Sequence, residues 1–490
     1  MAKAEKTSLK LNFIMNAILT MSSFVFPLIT FPYVSRVLLP TGTGKVSFAT
    51  SLISYFSMFA QLGIPTYGIR ACAKVRDDRE ELTRTAQELL IINLVMDLIS
   101  YVVLGLCLLF VPRLQEDRTL YVVVSATILL TSIGMEWLYK ALEQYTYITI
   151  RSIIFKFIAL IAMFLLIHEQ DDYVIYGAIS ILAASASNVF NFVNAHKYID
   201  MKPVGNYNFK RHFKAVGVFF AMSCATTIYT HLDTVMLGFM KTDEDVGYYN
   251  AAVRVKSLLV SIVTSLGTVL LPRSSYYVEQ GKIDEFKRIT RKALNFVFIL
   301  ASPLMLYFIL YAKEGIYFLS GTAYAGSIVP MQIIMPTLLL IGISNILGIQ
   351  ILVPLGREKI VLYSEVAGAV VDLILNAILI PSFASSGAAV GTVAAEFTVL
   401  LIQFMALRKE VAGVFSKISY WKILIGLALG TICSYWFVRF GLGSFLTLLV
   451  TACVFFAVYG LVLLVTREKL TIEIFNQLMG KVIKKLRKRG

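Results

Sequence analysis

Four cations interrupt long apolar stretches of this chain. Arg151 and Lys156 fall inside the apolar run 146–167, and Arg254 and Lys256 fall inside the run 247–271. A charge at membrane depth costs roughly 2.5–3.5 kcal/mol on insertion scales, so such groups face a bundle interior or a wet cavity. A guanidinium grips phosphate through two parallel hydrogen bonds, whereas an ammonium acts on it as a point charge. The pattern suits the holding of an anion, with Arg254 and Arg151 as the main contacts and Lys256 and Lys156 beside them. The competing reading is structural. These cations would then pair with Asp233, Glu136 or Asp97, or reach the interface along their own stems.

The acids Asp97, Glu136, Asp233, Asp372 and Glu396 also lie in apolar runs. Burial raises a carboxyl's pKa, which suits one of them to proton coupling or gating, Asp233 first. The alternative is a helix-to-helix hydrogen bond. His231, two residues from Asp233, falls on a different helical face and reads as structural or loosely cavity-facing. Asn188, Asn191 and Asn194 recur every three residues as a polar stripe, which could touch hydroxylated ligands or hold helices together at about 0.6–2 kcal/mol per bond. Pro27 and Pro32 remove hydrogen bonds from the first run and predict a bend there, a hinge or a static kink.

The elements that must position these residues are membrane helices. The chain is 490 residues long, 58% hydrophobic and only 15% charged, with a mean hydropathy of +0.75. A soluble protein is nearer a quarter charged. We expect an all-α polytopic membrane protein of about fourteen transmembrane helices, each near the roughly 20 residues that a 30 Å hydrocarbon core requires. Placing both termini in the cytoplasm puts 34 of the 45 basic residues in inner segments and 7 in outer ones. One missed span would invert every later loop, so this asymmetry fixes the orientation. It also accounts for the net charge of +15 without nucleic acid. The charged segments 74–88 and 280–292 read as solvated connectors on the membrane face.

From Ile472 to Arg489, Phe475, Leu478, Val482 and Leu486 recur at helical spacing ahead of a cluster of five cations, which suits a helix lying on anionic lipid. The expected divisions are 1–200 (spans 1–6), 201–410 (spans 7–12), 411–466 (spans 13–14) and the basic tail 467–490. An internal repeat supports two pseudo-symmetric six-helix lobes plus two C-terminal helices. Gly44, Gly63 and Pro65 recur as Gly247, Gly267 and Pro272, the glycines 203 and 204 residues apart. Five scattered cysteines show neither disulfide nor metal spacing, and no cofactor or metal is expected. No hydrolase, Walker or dinucleotide motif occurs, so the chain does not read as an enzyme. Energy would come from an ion gradient, membrane potential or substrate gradient.

Five stretches carry a family likeness: FPYVSRVLLPTGTGKVSFA at 31–49, LGIPTYGIRACAKVRDDREEL at 62–82, HLDTVMLGFMKTDEDVGYYNAAVRVKSLL at 231–259, SLGTVLLPRSS at 265–275, and LGIQILVPLGREKIVLYSEVAGAVVDLILNAILIP at 347–381. In them the chain resembles the bacterial polysaccharide-repeat-unit (Wzx-like) flippases, of the superfamily that also holds drug extruders and lipid II flippases. The resemblance implies a V-shaped bundle and alternating access for an oligosaccharide carried on undecaprenyl diphosphate. It implies a bacterial plasma membrane, membrane lipids as surroundings, and polysaccharide polymerase or assembly proteins as partners. The arginine-rich first span of the lipid II branch is reduced here to Arg36, a gating candidate. The rival expectations are an ion-coupled drug exporter, a lipid II flippase, and a membrane-bound polymerase or ligase; the last would need longer outer loops than these.

Overall fold

The computed structural model of the chain describes residues 9–416, 418–473 and 475–476. Most of the basic tail, including Leu478, Val482 and Leu486, lies outside the described residues. All described regular structure is helical. The first eleven α-helices are α1 (Leu9–Gln61), α2 (Ile64–Lys74), α3 (Arg79–Phe110), α4 (Pro112–Gln115), α5 (Arg118–Gly134), α6 (Glu136–Ala141), α7 (Tyr145–Leu166), α8 (Tyr173–Ile181), α9 (Asn188–Asn194), α10 (Lys210–Met240) and α11 (Asp243–Glu279). The remaining eight are α12 (Ile283–Leu310), α13 (Ala312–Ser320), α14 (Ile328–Ile334), α15 (Thr337–Asn345), α16 (Glu358–Ala406), α17 (Arg408–Phe415), α18 (Tyr420–Tyr435) and α19 (Ser444–Val465).

Ten helices among the described residues are long and apolar enough to cross a bilayer. They become eleven when Thr322–Ile334 and Thr337–Leu352, which meet at 44°, count as one span. Two of these helices are too long for a single crossing. At 1.5 Å per residue, the 53 residues of α1 would reach about 80 Å, more than twice the hydrocarbon core. α1 is divided at Leu39 (φ 57°, ψ 179°), and α16 at Ala384 (φ 47°, ψ −126°). Pro27 and Pro32 sit within helical stretches of α1, and the backbone leaves helical geometry only at the residue before Pro40.

The chain divides into two compact units, 1–247 and 248–490. In the first, α1 packs against α3, α5, α7 and α10. At one end the break in α1 meets the turn between α10 and α11 at backbone contact. A Cβ on Gly44 would lie 1.7 Å from the carbonyl oxygen of Asp243, and one on Gly247 would lie 2.1 Å from that of Pro40. The two glycines of the sequence repeat thus face each other. Lys45 pairs with Asp117 at 2.9 Å, Tyr173 donates its hydroxyl to the same carboxylate, and Arg113 pairs with Asp243 and donates to the Gly238 carbonyl.

The other end is held by a charge cluster. Glu88 is fully buried on α3 and accepts from Arg211 Nε (2.9 Å) and Nη2 (2.6 Å), His212 Nε2 (2.7 Å) and the Asn208 amide (2.6 Å). Tyr67 of α2 bonds the other imidazole nitrogen at 2.8 Å. The segment 74–88 is therefore no solvated connector throughout. Asp78 caps α3 through the amides of Glu80 and Glu81, and Glu88 is the buried clasp for the chain entering α10.

In the second unit, α18 and α19 form a close pair that packs on α12. Gly426 and Gly430, one turn apart, let α18 approach Tyr459 and Phe455 of α19. Three tyrosine hydroxyls tie the pair to α12: Tyr307 donates to the Leu448 carbonyl (2.8 Å), Tyr311 to Ser434 Oγ (2.7 Å) and Tyr459 to the Ile299 carbonyl (2.9 Å). In hydrocarbon, where no water competes, such bonds fix which helices stay together.

Candidate functional site

Arg151 and Lys156 are both buried on α7. Arg151 Nη1 donates to the Ser187 carbonyl at 3.0 Å, just past the π-helical segment Leu182–Ala186, and its Nε is buried with no hydrogen-bond partner. π segments widen a helix locally and are frequent at functional sites. Lys156 Nζ donates to Ser22 Oγ (2.7 Å) and Ser23 Oγ (3.0 Å) of α1. Two carboxylates that could have neutralised them are engaged elsewhere. Glu136 acts on both cations through space but pairs directly with Lys140 at 2.8 Å, and Asp97 accepts from Ser132 Oγ at 2.8 Å. Among the described residues, both α7 cations therefore have neutral hydrogen-bond partners and no ion pair. A buried charge without a counter-ion is costly, which makes this a place where an anion would be favourable.

Arg254 and Lys256 are half-buried on α11 in the second unit. Asp233 is buried on α10 in the first. Arg36 is exposed on α1, its guanidinium donating to the Pro32 carbonyl one turn back. The asparagine stripe lies against the α5–α6 junction. Asn191 Nδ2 donates to the Gly134 carbonyl (2.8 Å), Tyr139 donates to the Asn191 carbonyl (2.6 Å), and Asn194 Nδ2 donates to the Tyr139 hydroxyl (3.3 Å). Asn188 packs so closely that a Cβ on Gly134 would come within 2.5 Å of its Cγ. In this geometry Asn188 and Asn191 join helices.

A cavity of about 250 Å³ opens within the first unit. Apolar Ile53, Met58, Pro65 and Val124 alternate in its walls with a polar set, Thr50, Ser54, Ser57 and Gln61 from α1 and Ser223, Thr227 and His231 from α10, and no carboxylate, lysine or arginine lines it. It has room for several waters. Hydroxyls and a carboxamide both donate and accept, so the lining suits a neutral, hydroxylated ligand. From the cavity, Gln61 Nε2 donates to Ser132 Oγ (2.8 Å), which donates in turn to Asp97 Oδ1 (2.8 Å). Asp97 Oδ2 is buried without a partner. The signal for this wall was present in the sequence: Thr50, Ser54, Ser57 and Gln61 step by four, three and four, and Ser223, Thr227 and His231 step by four. Those are one-face spacings.

The sequence profile described as "Polysaccharide biosynthesis protein" matches residues 9–278, and one described as "MatE" matches residues 219–378. A curated relative from Escherichia coli (strain K12), named "Putative O-antigen transporter", is 24% identical over 407 residues, covering 83% of this chain and 98% of the relative. "Probable flippase AglR" of Haloferax volcanii is 28% identical over 185 residues, 37% of this chain and 39% of its own. Among solved structures, the lipid II flippase MurJ in an inward closed conformation superposes with a TM-score of 0.72 at 16% identity, over 93% of this chain and 99% of that one. That likeness shows the fold, an all-α polytopic membrane bundle.

Proposed function

The chain belongs to the polysaccharide biosynthesis protein family, and from that premise we propose that it is a flippase for lipid-linked oligosaccharides in surface polysaccharide synthesis. The named activities of its relatives, O-antigen transporter and flippase, support this reading. The substrate would be an oligosaccharide on undecaprenyl diphosphate, moved from the inner to the outer face of a bacterial plasma membrane by alternating access. We read the broken helices as fourteen crossings with both termini cytoplasmic, the lobes as 1–200 and 201–410, and 411–466 as an added hairpin. Polymerase and assembly proteins would take the product.

The observation that carries the site is the burial of Arg151 and Lys156 with no direct ion pair among the described residues. A diphosphate cannot leave water without replacement partners. Arg151 and Lys156, with Arg254 and Lys256 from α11, would supply cations to it. The hydroxyl-lined cavity would replace water around a sugar while the lipid tail stays in the bilayer. Asp233 and Arg36 are gating candidates in this scheme, with Pro27 and Pro32 as flexible points of the first span.

The test is the sidedness of lipid-linked oligosaccharide in cells lacking the protein. Units should accumulate on the inner leaflet and clear when the gene returns. Arg151→Gln and Arg254→Gln should each reduce clearance about 10- to 100-fold at normal protein level, the range expected for one charged hydrogen bond of about 1.5–3 kcal/mol. Unchanged sidedness with altered drug tolerance would instead identify an exporter. Intact clearance in both variants would remove the cationic site from the mechanism.

A further inference from the structure

A second cavity, of about 440 Å³, lies in the unit 248–490 where α12 begins and where the chain leaves α19. Arg288, Arg291, Lys292 and Lys469 line it, against Glu468 and Glu473. Both carboxylates are already engaged. Glu473 holds Lys292 through both oxygens at 2.8 Å. Glu468 is buried and accepts from Asn295 Nδ2 (2.8 Å) and from the amide (2.7 Å) and hydroxyl (2.8 Å) of Thr471. Burial works to raise its pKa, but these hydrogen bonds outweigh it and hold the carboxyl below the usual range, so it stays an anion satisfied by its own neighbours.

Arg288 pairs with Glu285 one turn back on its own helix, so two cations are left over. Arg291 Nε is buried with no hydrogen-bond partner, and neither Arg291 nor Lys469 has an ion-pair partner among the described residues. The pocket is thus built, positively charged and short of acceptors. Its level in the bundle decides what fills it. Arg288, Arg291 and Lys292 stand in the first turns of a membrane-crossing helix, and Lys469 follows the last turn of another by four residues. That is headgroup depth. Leu470 and Ile418 give the wall an apolar side against which a glycerol backbone can rest.

From this geometry we infer that the cavity binds the phosphate of a membrane lipid, Arg291 and Lys469 taking its oxygens. The site is separate from the α7 cations and would hold a lipid whether or not the protein flips one. Charged pockets at this level are a general means of selecting anionic lipids.

The experiment uses the full chain in lipid nanodiscs and reads retained lipid by native mass spectrometry alongside the thermal midpoint. Phosphatidylglycerol should be retained and raise the midpoint, and phosphatidylcholine should do neither. In Lys469→Ala and Arg291→Gln the half-saturating phosphatidylglycerol should rise about tenfold, with Arg291→Lys largely restored. A parallel titration with undecaprenyl diphosphate separates the sources. A response to phosphatidylglycerol assigns the site to bulk lipid, and a response to the diphosphate alone assigns it to the carrier. Equal retention of lipid by wild type and both neutralised variants would overturn the site, as would the same midpoint shift from inorganic phosphate alone. Transport by these variants is read separately, so either outcome leaves the flippase test standing.

Discussion

Replacing Glu88 with alanine should destabilise the unit 1–247 by about 3 kcal/mol, the lower end of the range for breaking a buried ion pair from one side. The carboxylate is fully buried and accepts four hydrogen bonds. Without it, the His212 imidazole and the Asn208 amide lose their acceptor in a buried site. Arg211 is about a third exposed and keeps its pair with Glu81, which limits the loss. Glu88→Gln keeps one acceptor and the volume, so its cost should fall to about 1–2 kcal/mol. Thermal unfolding in nanodiscs, with proteolysis across residues 198–209, measures both. Equal effects from Ala and Gln would show that charge, and not shape, clasps α10 to α3.

Gly44→Ala should cut transport at least tenfold, and Gly247→Ala should do the same. In each case the new methyl meets backbone, 1.7 Å from the Asp243 oxygen or 2.1 Å from the Pro40 oxygen. Backbone held in two helices cannot step aside as a flexible side chain would, and overpacking of even ordinary cores costs about 1–3 kcal/mol. The turn carrying Asp243 would have to lift away from the break in α1, disturbing the pair of Arg113 with Asp243. Gly105→Ala is the control, because a Cβ there meets nothing within 4 Å. Clearance of lipid-linked oligosaccharide and surface expression are measured together. If Gly44→Ala transported normally, the contact would be dispensable to the cycle.

Helix content was legible because lipid enforces it: every backbone group must be paired, so long apolar runs have one outcome. The glycine repeat was legible as spacing, but sequence could not tell that Gly44 and Gly247 sit against each other. The break at Leu39 separates the first two expected spans, while Pro27 and Pro32 lie within the helical stretch before it. Segment 74–88 looked like a solvated run since charge density alone cannot show that Glu88 has Arg211 and His212 some 120 residues away. The buried cations of α7 stood out by their charge. The hydroxyl wall did not, because serine and threonine barely alter an apolar run, and only their spacing by threes and fours betrays a common face.

In the proposed scheme, where a sugar passes this wall, its chemistry bears on which glycans can pass. A hydroxyl rotor donates or accepts according to its neighbour, so Thr50, Ser54, Ser57, Ser223 and Thr227 can meet an axial or an equatorial sugar hydroxyl with the same side chain. Such a surface is nearly blind to stereochemistry. What it does sense is bulk, since the helices that carry the rotors set the room between them. Epimers should therefore pass at similar rates, whereas a branch that outgrows the cavity should slow passage whatever its configuration.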